Sequence, residues 1–340
     1  QLKIQMDVFF KDIEYQKQFD KYGFVKIKMF LEDEVNIFKE FYKSLSIHDE
    51  IKYGFSVSID QMNDEVRMRL NTFFKSQVFP RFEQFLNHPK YFTGSFMIKE
   101  PYPTGTVAAH QDWTFVEEEI FQSLMCWISL DKTDITNGAM AFLKGSHRFF
   151  DQVRGFPCPL VPEPVEEYRY KLMPYLNVID TEPGEVLIFD NKTIHGSFPN
   201  TSDKTRHGIS ITLTQASADF IAYYLNPTIN DKYELIKYKV EDDFFDKYNN
   251  PKFHQFFKNK KLLEDLVEIE RIALTPQKKD WNALQVLLNE NENYFNNANE
   301  EKFGKLICEQ EKWHLRELSK FRNNTKEPLL QRIKKKYFAF

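Results

Sequence analysis

The chain has 340 residues, 42% hydrophobic and 28% charged, which is enough apolar material for one large domain, or for one domain with an appendage. A formal net charge of −4 leaves no broad basic footprint and sets nucleic acid aside as a partner. Three widely spaced cysteines, Cys126, Cys158 and Cys308, exclude a disulfide scaffold and a zinc ribbon and fit a reducing compartment.

Residues 1–90 read as mostly helical. In LEDEVNIFKEFYKSL an acidic first turn precedes Val35, Phe38, Tyr42 and Leu45 at helical spacing. NDEVRMRLNTFFKSQVFPRFEQFL repeats the pattern with Val66, Leu70, Phe73 and Phe74, and Pro80 is expected to kink or split that helix. From about 91 to 215 short β-rich runs take over: SLMCWISLD, AMAFL, EVLIFD and HGISITLT, separated by turn clusters such as DITNGA and EPGE. Strands of this length and punctuation predict an all-β sandwich or barrel core, with Asn137-Gly138 making a tight turn. VEEEIF, shortly after Trp113, reads as an exposed, solvated turn. The proline-rich stretch 151–180 is expected to be an insertion of the kind that forms lids. Beyond about 230 the composition shifts to Lys, Asn, Glu and Phe. PKFHQFFKNKKLLEDLVEIERIAL and NEEKFGKLICEQEKWHLRELSKF read as amphipathic helices, and the basic tail QRIKKKYFAF as a solvated helix end. The expected division is a core at 1–225, with its strands at about 91–215, followed by a helical extension at 226–340. No run reads as a signal peptide or membrane span, so a cytoplasmic location is expected. The 34 phenylalanines against 11 glycines predict an aromatic core.

VAAHQDW places His110 and Asp112 two residues apart at the end of a strand, where residues i and i+2 point the same way and can face one ion. A third ligand has to come from another strand end, and EVLIFDNKTIHG offers His195 in the turn after Val186–Phe189. Arg206, at the start of the next strand, is expected beside it in the same cavity, with His207 pointing away. Two histidines and a carboxylate form the facial set of non-haem Fe(II) oxygenases. Three protein ligands on a six-coordinate iron leave two positions for a chelating 2-oxo acid and one for dioxygen. The far carboxylate of 2-oxoglutarate then calls for a fixed cation, which a guanidinium supplies in bidentate geometry. His48, His88, His147, His254 and His314 read as structural, and Trp113 as a cavity wall.

Four segments, in order, resemble the phytanoyl-CoA dioxygenase family of Fe(II)/2-oxoglutarate-dependent oxygenases: FDKYGFVKIKMFLEDEV, IKEPYPTGTVAAHQDW, WISLDKTDITNGAMAFLKGSH and PGEVLIFDNKTIHGSFPNTSDKTRHGISI. Together they span roughly residues 15–215. The resemblance implies a mainly β core with helices: a double-stranded β-helix (jelly roll, cupin-like) with N-terminal helices packed on it. The helical extension would follow it. The resemblance also implies His110, Asp112 and His195 as iron ligands, Arg206 on the C5 carboxylate of 2-oxoglutarate, and the Ser197 hydroxyl helping to hold that carboxylate. Trp127 and Lys99 stand where relatives contact the cosubstrate. The implied cofactors are Fe(II), 2-oxoglutarate and O2. The implied reaction oxidises an unactivated C–H bond of a small-molecule substrate, with release of succinate and CO2. Hydroxylation comes first among its outcomes; desaturation and oxidative ring closure differ only in the fate of the substrate radical. Related halogenases carry a small residue where this chain has Asp112, which sets halogenation aside. A hydrolase or isomerase using the same triad with zinc is a rival reading that would not need Arg206 or Ser197, and a non-catalytic jelly-roll binding module is another. A monomer or homodimer is expected. The acidic chain shows no patch for the phosphates of coenzyme A, and GFPCPLVPEP suggests an apolar substrate wall.

Overall fold

The computed structural model describes residues 8–45, 54–101, 105–229 and 233–324, with side chains described as far as 316. His48 and the basic tail QRIKKKYFAF lie outside the described residues.

Helix α1 (Ile13–Tyr22) starts where the Asp12 carboxylate accepts the Glu14 N–H and ends at Gly23, whose φ of 83° suits a residue without Cβ. It leads into strand β1 (Phe24–Lys28), then helix α2 (Glu32–Ser44), strand β2 (Phe55–Val57) and helix α3 (Asp64–Phe73). The Pro80 region breaks the helical path as expected, into a π turn over Phe74–Val78 and a 3-10 turn over Phe79–Gln84. The first ninety residues are not helical throughout. FVKIK buries alternate residues as β1, a period of two that the helical reading passes over.

Strands β3 (Pro89–Lys99), β4 (Val107–His110), β5 (Leu124–Ser129), β6 (Met140–Phe142), β7 (Asn177–Val178), β8 (Glu185–Asp190), β9 (His195–Ser197) and β10 (Arg206–Gln215) build the core. They form two antiparallel sheets, ordered β1-β8-β5-β10-β3-β2 and β4-β9-β6-β7, in the double-stranded β-helix arrangement. The larger sheet serves two surfaces. Ile209, Ile211 and Leu213 of β10, Leu124, Cys126 and Ile128 of β5, and Phe96 and Ile98 of β3 join Phe19, Val35, Phe38 and Leu70 in the apolar layer under α1–α3. The alternating residues Arg206, Ser210 and Thr212, with Met125 and Trp127 and with Thr93, Ser95 and Met97, line a cavity between the sheets.

Strand β11 (Ile221–Leu225) pairs with β12 (Glu234–Lys239), so one sheet spans the division expected at 225/226. Helices do fill much of the C-terminal third: α4 (Phe244–Lys247), α5 (Asn250–Lys258), α6 (Trp281–Glu290) and α7 (Asn297–Asn324). Between them lies strand β13 (Val267–Ala273), the third strand of the β11-β12-β13 sheet. The helical expectation for LVEIERIAL is therefore corrected. Val267–Glu270 alternates apolar and charged residues before Arg271 breaks the period, and a run this short does not separate a strand from a helix. Helices α6 and α7 set Leu284, Leu288, Phe303 and Ile307 against Ala109, Ala141 and Phe198 behind the smaller sheet. Asn293, between those helices, fastens them by accepting from the Lys144 N–H at 2.8 Å and donating to the Lys144 carbonyl at 3.0 Å. The aromatic core is real: Phe92, Phe115, Phe156, Phe220, Phe244, Phe245 and Phe253 share one cluster at the end of the cavity nearest Trp113. No helix among the described residues is long and apolar enough to cross a membrane.

One ionic contact ties the helical layer to the strand that carries Arg206. Asp131 accepts from Lys39 of α2 at 2.7 Å and, at the start of β10, from the His207 N–H at 2.8 Å and its Nδ1 at 2.9 Å. His207 points away from the cavity, as strand alternation demands. Burial alone would raise the Asp131 pKa, but the His207 and Lys39 hydrogen bonds outweigh it and hold the carboxyl well below the usual range. A carboxyl depressed in the folded state adds stability above its ordinary value, and that stability is lost as pH falls toward the folded value. Asp131→Asn is expected to cost about 1–3 kcal/mol in urea unfolding at pH 7. The gap from the parent protein should narrow as pH drops below about 4; a gap independent of pH would contradict this account.

Candidate metal centre and cosubstrate pocket

His110 closes β4, and its Cα partner across the smaller sheet is His195, the first residue of β9. Pairing two strand ends in this register is what brings two distant histidines face to face, their ring centroids 4.3 Å apart. Both imidazoles are oriented by the backbone: His110 Nδ1 lies 2.9 Å from the Ala108 carbonyl and His195 Nδ1 2.9 Å from the Thr193 carbonyl. A carbonyl only accepts, so each Nδ1 must carry the hydrogen and each Nε2 presents a lone pair. Those Nε2 atoms lie 3.7 Å from Asp112 Oδ1 and 3.7 Å from Asp112 Oδ2 respectively, and all three donor atoms fall within 4.8 Å of one another. Asp112 Oδ2 is buried with no hydrogen-bond partner.

Burial and charge set the proton states. Burial pulls His195 down to about 4, keeping it a neutral ligand. Burial also disfavours charge on His110 and on Asp112, but Asp112 raises His110, while His195 and His110 lower Asp112. The donor set of two imidazoles and one carboxylate, with the buried Oδ2 left over, suits a divalent first-row metal with open positions. Cys158 also reaches the cavity, but burial and the nearby Glu163 push its thiol pKa up, so it stays protonated and a poor ligand.

On the facing wall, four more of the sequence-selected residues gather. Arg206 is 2% exposed, donates to the Gly138 carbonyl at 2.6 Å and meets no carboxylate within ion-pair distance among the described residues. Burial pulls its guanidinium down to about 10. Among the described residues its Nε has no partner, nor has the indole N–H of Trp127, whose ring centroid lies 5.2 Å from the guanidinium carbon. Gly208 makes room for that indole: a Cβ there would stand 2.8 Å from Trp127 Nε1. Lys99 is the cross-strand neighbour of Arg206 and fully buried, donating to Ser197 Oγ at 2.6 Å and to the Phe198 carbonyl at 2.6 Å. Burial first, then Arg206, drives its pKa well down. Ser197 and Trp127 line the cavity, while Lys99 stands behind Ser197. The cavity encloses about 240 Å³, and Trp113 forms part of its wall, packed on Phe156 at 4.3 Å.

The family model for phytanoyl-CoA dioxygenase (PhyH) matches residues 19–208, more than half of the chain. The chain belongs to the phytanoyl-CoA dioxygenase family. It is similar to a phytanoyl-CoA dioxygenase of Arabidopsis thaliana, 28% identical over 127 residues, which cover 36% of this chain and 43% of that protein. It is also similar to a phytanoyl-CoA dioxygenase domain-containing protein 1 homolog of Caenorhabditis briggsae, 26% identical over 144 residues, covering 36% and 46%. The matched part thus spans less than half the length of these curated relatives. Among solved structures, a non-haem alpha-ketoglutarate-dependent carbocyclase from nogalamycin biosynthesis is 19% identical, covers 62% of this chain and 86% of its own, and has a TM-score of 0.46. A protein of Streptomyces hygroscopicus with nickel, 2-oxoglutarate and hygromycin B bound is 14% identical, with coverages of 61% and 88% and a TM-score of 0.43.

The structure adds residues that the sequence reading missed. Arg154, in the proline-rich insertion, is 2% exposed and donates through Nε to the Asp112 carbonyl at 2.5 Å. Its two terminal nitrogens grip both oxygens of Glu118, at 2.9 and 2.5 Å. The main chain at Arg154 exchanges hydrogen bonds with Thr114 at 3.0 and 3.1 Å. VEEEIF is therefore not wholly a solvated turn: Glu118 turns inward, 12% exposed at its side chain, because a buried guanidinium needs it. This pair clamps the backbone of the one carboxylate in the triad. For a phytanoyl-CoA dioxygenase family member, Glu118→Gln is expected to weaken divalent-metal binding about ten-fold or more. Cobalt(II) titration with the fold checked by circular dichroism measures this; unchanged affinity would show that the clamp does not hold Asp112.

Proposed function

We propose that this chain is an Fe(II)- and 2-oxoglutarate-dependent dioxygenase that oxidises a C–H bond of a small molecule, most directly by hydroxylation. The observation that carries the reading is the buried Arg206 guanidinium, which faces the triad's cavity without a carboxylate partner. Burying an unpaired cation costs several kcal/mol, so the pocket is built for an anion that it does not itself supply. The orphan Nε of Arg206 and the orphan indole N–H of Trp127 are donors available to that anion. A zinc hydrolase or isomerase would leave this expense without purpose.

In this reading His110, Asp112 and His195 hold the metal, and Arg206 with Ser197 holds the distal carboxylate of 2-oxoglutarate. Trp127 supplies a flat floor and a donor, and Lys99 fixes the Ser197 hydroxyl. The chemistry a bound iron supplies is oxidation by O2, one oxygen atom leaving in succinate as CO2 is released and the other entering the substrate. The chain's own part is orientation and exclusion. Backbone carbonyls lock both imidazole tautomers. The Arg154–Glu118 clamp fixes the main chain of Asp112. Trp113, Phe115 and Phe245 form an apolar wall that keeps water from the reacting centre.

Arg206→Met is expected to raise the KM for 2-oxoglutarate about a hundred-fold or more, with Fe(II) binding retained. Succinate release from anaerobically Fe(II)-loaded protein after O2 is admitted reads this out, with His110→Ala as the variant that loses metal. Equal turnover in the parent protein and both variants would sink the reading.

A further inference from the structure

With the triad and Arg206 assigned, Glu163 and Cys158 are the ionisable side chains that remain on the cavity wall among the described residues. Glu163 comes from the proline-rich insertion, flanked by Pro162 and Pro164, and its side chain is 13% exposed. It contrasts with the other buried acid of the region. Both oxygens of Glu118 are occupied by one guanidinium. Only one oxygen of Glu163 is so engaged, its Oε2 accepting from Arg169 at 3.0 Å. Among the described residues its Oε1 meets nothing stronger than the Cys158 thiol, at 3.9 Å. An ionised carboxylate offers about four acceptor positions, and one buried with so little to accept is under-satisfied. The pair is also tied to the reaction centre: the Arg169 carbonyl accepts the N–H of Ala109, next to His110, at 3.2 Å. Glu163 and the three triad residues line the same cavity.

We propose that Glu163 is the polar anchor of the substrate subsite, and that the substrate is an uncharged, largely hydrocarbon molecule with a hydroxyl group that donates to Glu163 Oε1. The proposal rests on the oxygenase reading above. Phe55, Val57, Ile59, Trp113, Phe115 and Phe245 form an apolar part of the same cavity, which also holds the uncharged polar Thr93, Ser95, Gln111, Ser210 and Thr212, and give a hydrocarbon skeleton its contacts. Charge selects the neutral form. Arg169 already balances Glu163. Asp112 and a doubly charged keto acid balance a divalent metal and Arg206, and burial drives Lys99 toward its neutral amine. An ammonium or carboxylate on the substrate would add an uncompensated charge to a dry cavity. A hydroxyl costs no such charge, and it satisfies the open acceptor close to the C–H bonds presented to the centre.

The test uses the full chain loaded with cobalt(II) and saturating 2-oxoglutarate, with four six-membered-ring probes titrated by calorimetry: cyclohexanol, cyclohexanone, cyclohexylammonium and cyclohexanecarboxylate. Cyclohexanol is expected to bind about ten-fold or more tightly than each of the others, the difference expected from one hydrogen bond to a charged acceptor. Glu163→Gln, which keeps an accepting oxygen but not its charge, should retain only part of that preference. The double variant Glu163→Leu/Arg169→Leu removes both buried charges together, so the fold is preserved, and it should abolish the preference. Equal binding of cyclohexanol and cyclohexanone by the parent protein would overturn the proposal. So would a preference that survives in the double variant, tighter binding of a charged probe, or no cyclohexanol binding at tens of millimolar. Cobalt and 2-oxoglutarate binding are measured on the same samples. Their failure in the parent protein brings down the oxygenase reading and this proposal together, whereas a flat probe order with both intact brings down the role of Glu163 alone.

Discussion

The two-residue period of the large sheet is the constraint on which the site depends. Ile209, Ile211 and Leu213 bind β10 to the helical layer, and Arg206, Ser210 and Thr212 between them point into the cavity. The same strands therefore stabilise the fold with one face and carry the chemistry with the other. A slip of one residue in the β10 register would bury the polar set among phenylalanines and turn the isoleucines toward the metal. Pairing with both β3 and β5 makes that slip expensive, and Asp131 pins the first residues of the strand from the side.

Around this frame the site is assembled by groups that do no chemistry themselves. The carbonyls of Ala108 and Thr193 determine which imidazole nitrogen is free. The carbonyl of Gly138, in a turn with φ of 76°, receives Arg206, and Lys99 steadies Ser197. Two basic side chains buried side by side, Arg206 and Lys99, with no acid between them among the described residues, form an electrostatic arrangement that folding alone would disfavour. Their cost is offset only when an anion binds, which ties the stability of this corner to ligand occupancy.

The strand-borne part of the site was legible in the sequence for a physical reason. His110, Asp112, His195 and Arg206 lie at strand ends, where alternation fixes direction, so spacing carries geometric information. The N-terminal helices were legible through their acidic first turns and apolar stripes. Strands β1 and β13 were not, because runs as short as FVKIK and VEIERIA are too brief for their spacing to separate a strand from a helix. The Arg154–Glu118 pair was invisible for a different reason. Its members stand 36 residues apart, and a charged residue in a polar run looks solvated until its partner is located. The same holds for Glu163: its pair with Arg169 and its place on the cavity wall set it apart from Glu166 and Glu167 in the same segment.

The distribution of these residues separates two tasks. His110, His195 and Arg206 lie at the ends of paired strands and Asp112 two residues beyond β4, so the directions of the proposed metal ligands and of Arg206 follow from the sheet pairing. Arg154, Glu163 and Arg169 all come from the proline-rich segment between β6 and β7, laid over the mouth of the core. That one segment both clamps Asp112 and walls the cavity; it also touches Thr114 and pairs with β11 through Phe156, but two of its contacts fall at the triad itself, the Asp112 carbonyl and the Ala109 N–H. A change in the inner residues of this segment can alter which molecule fits without disturbing the tautomers or the anion pocket. A change at either contact propagates into the coordination of the metal. Selectivity can therefore diverge within such a scaffold while the reaction stays the same, provided the divergence avoids those two points.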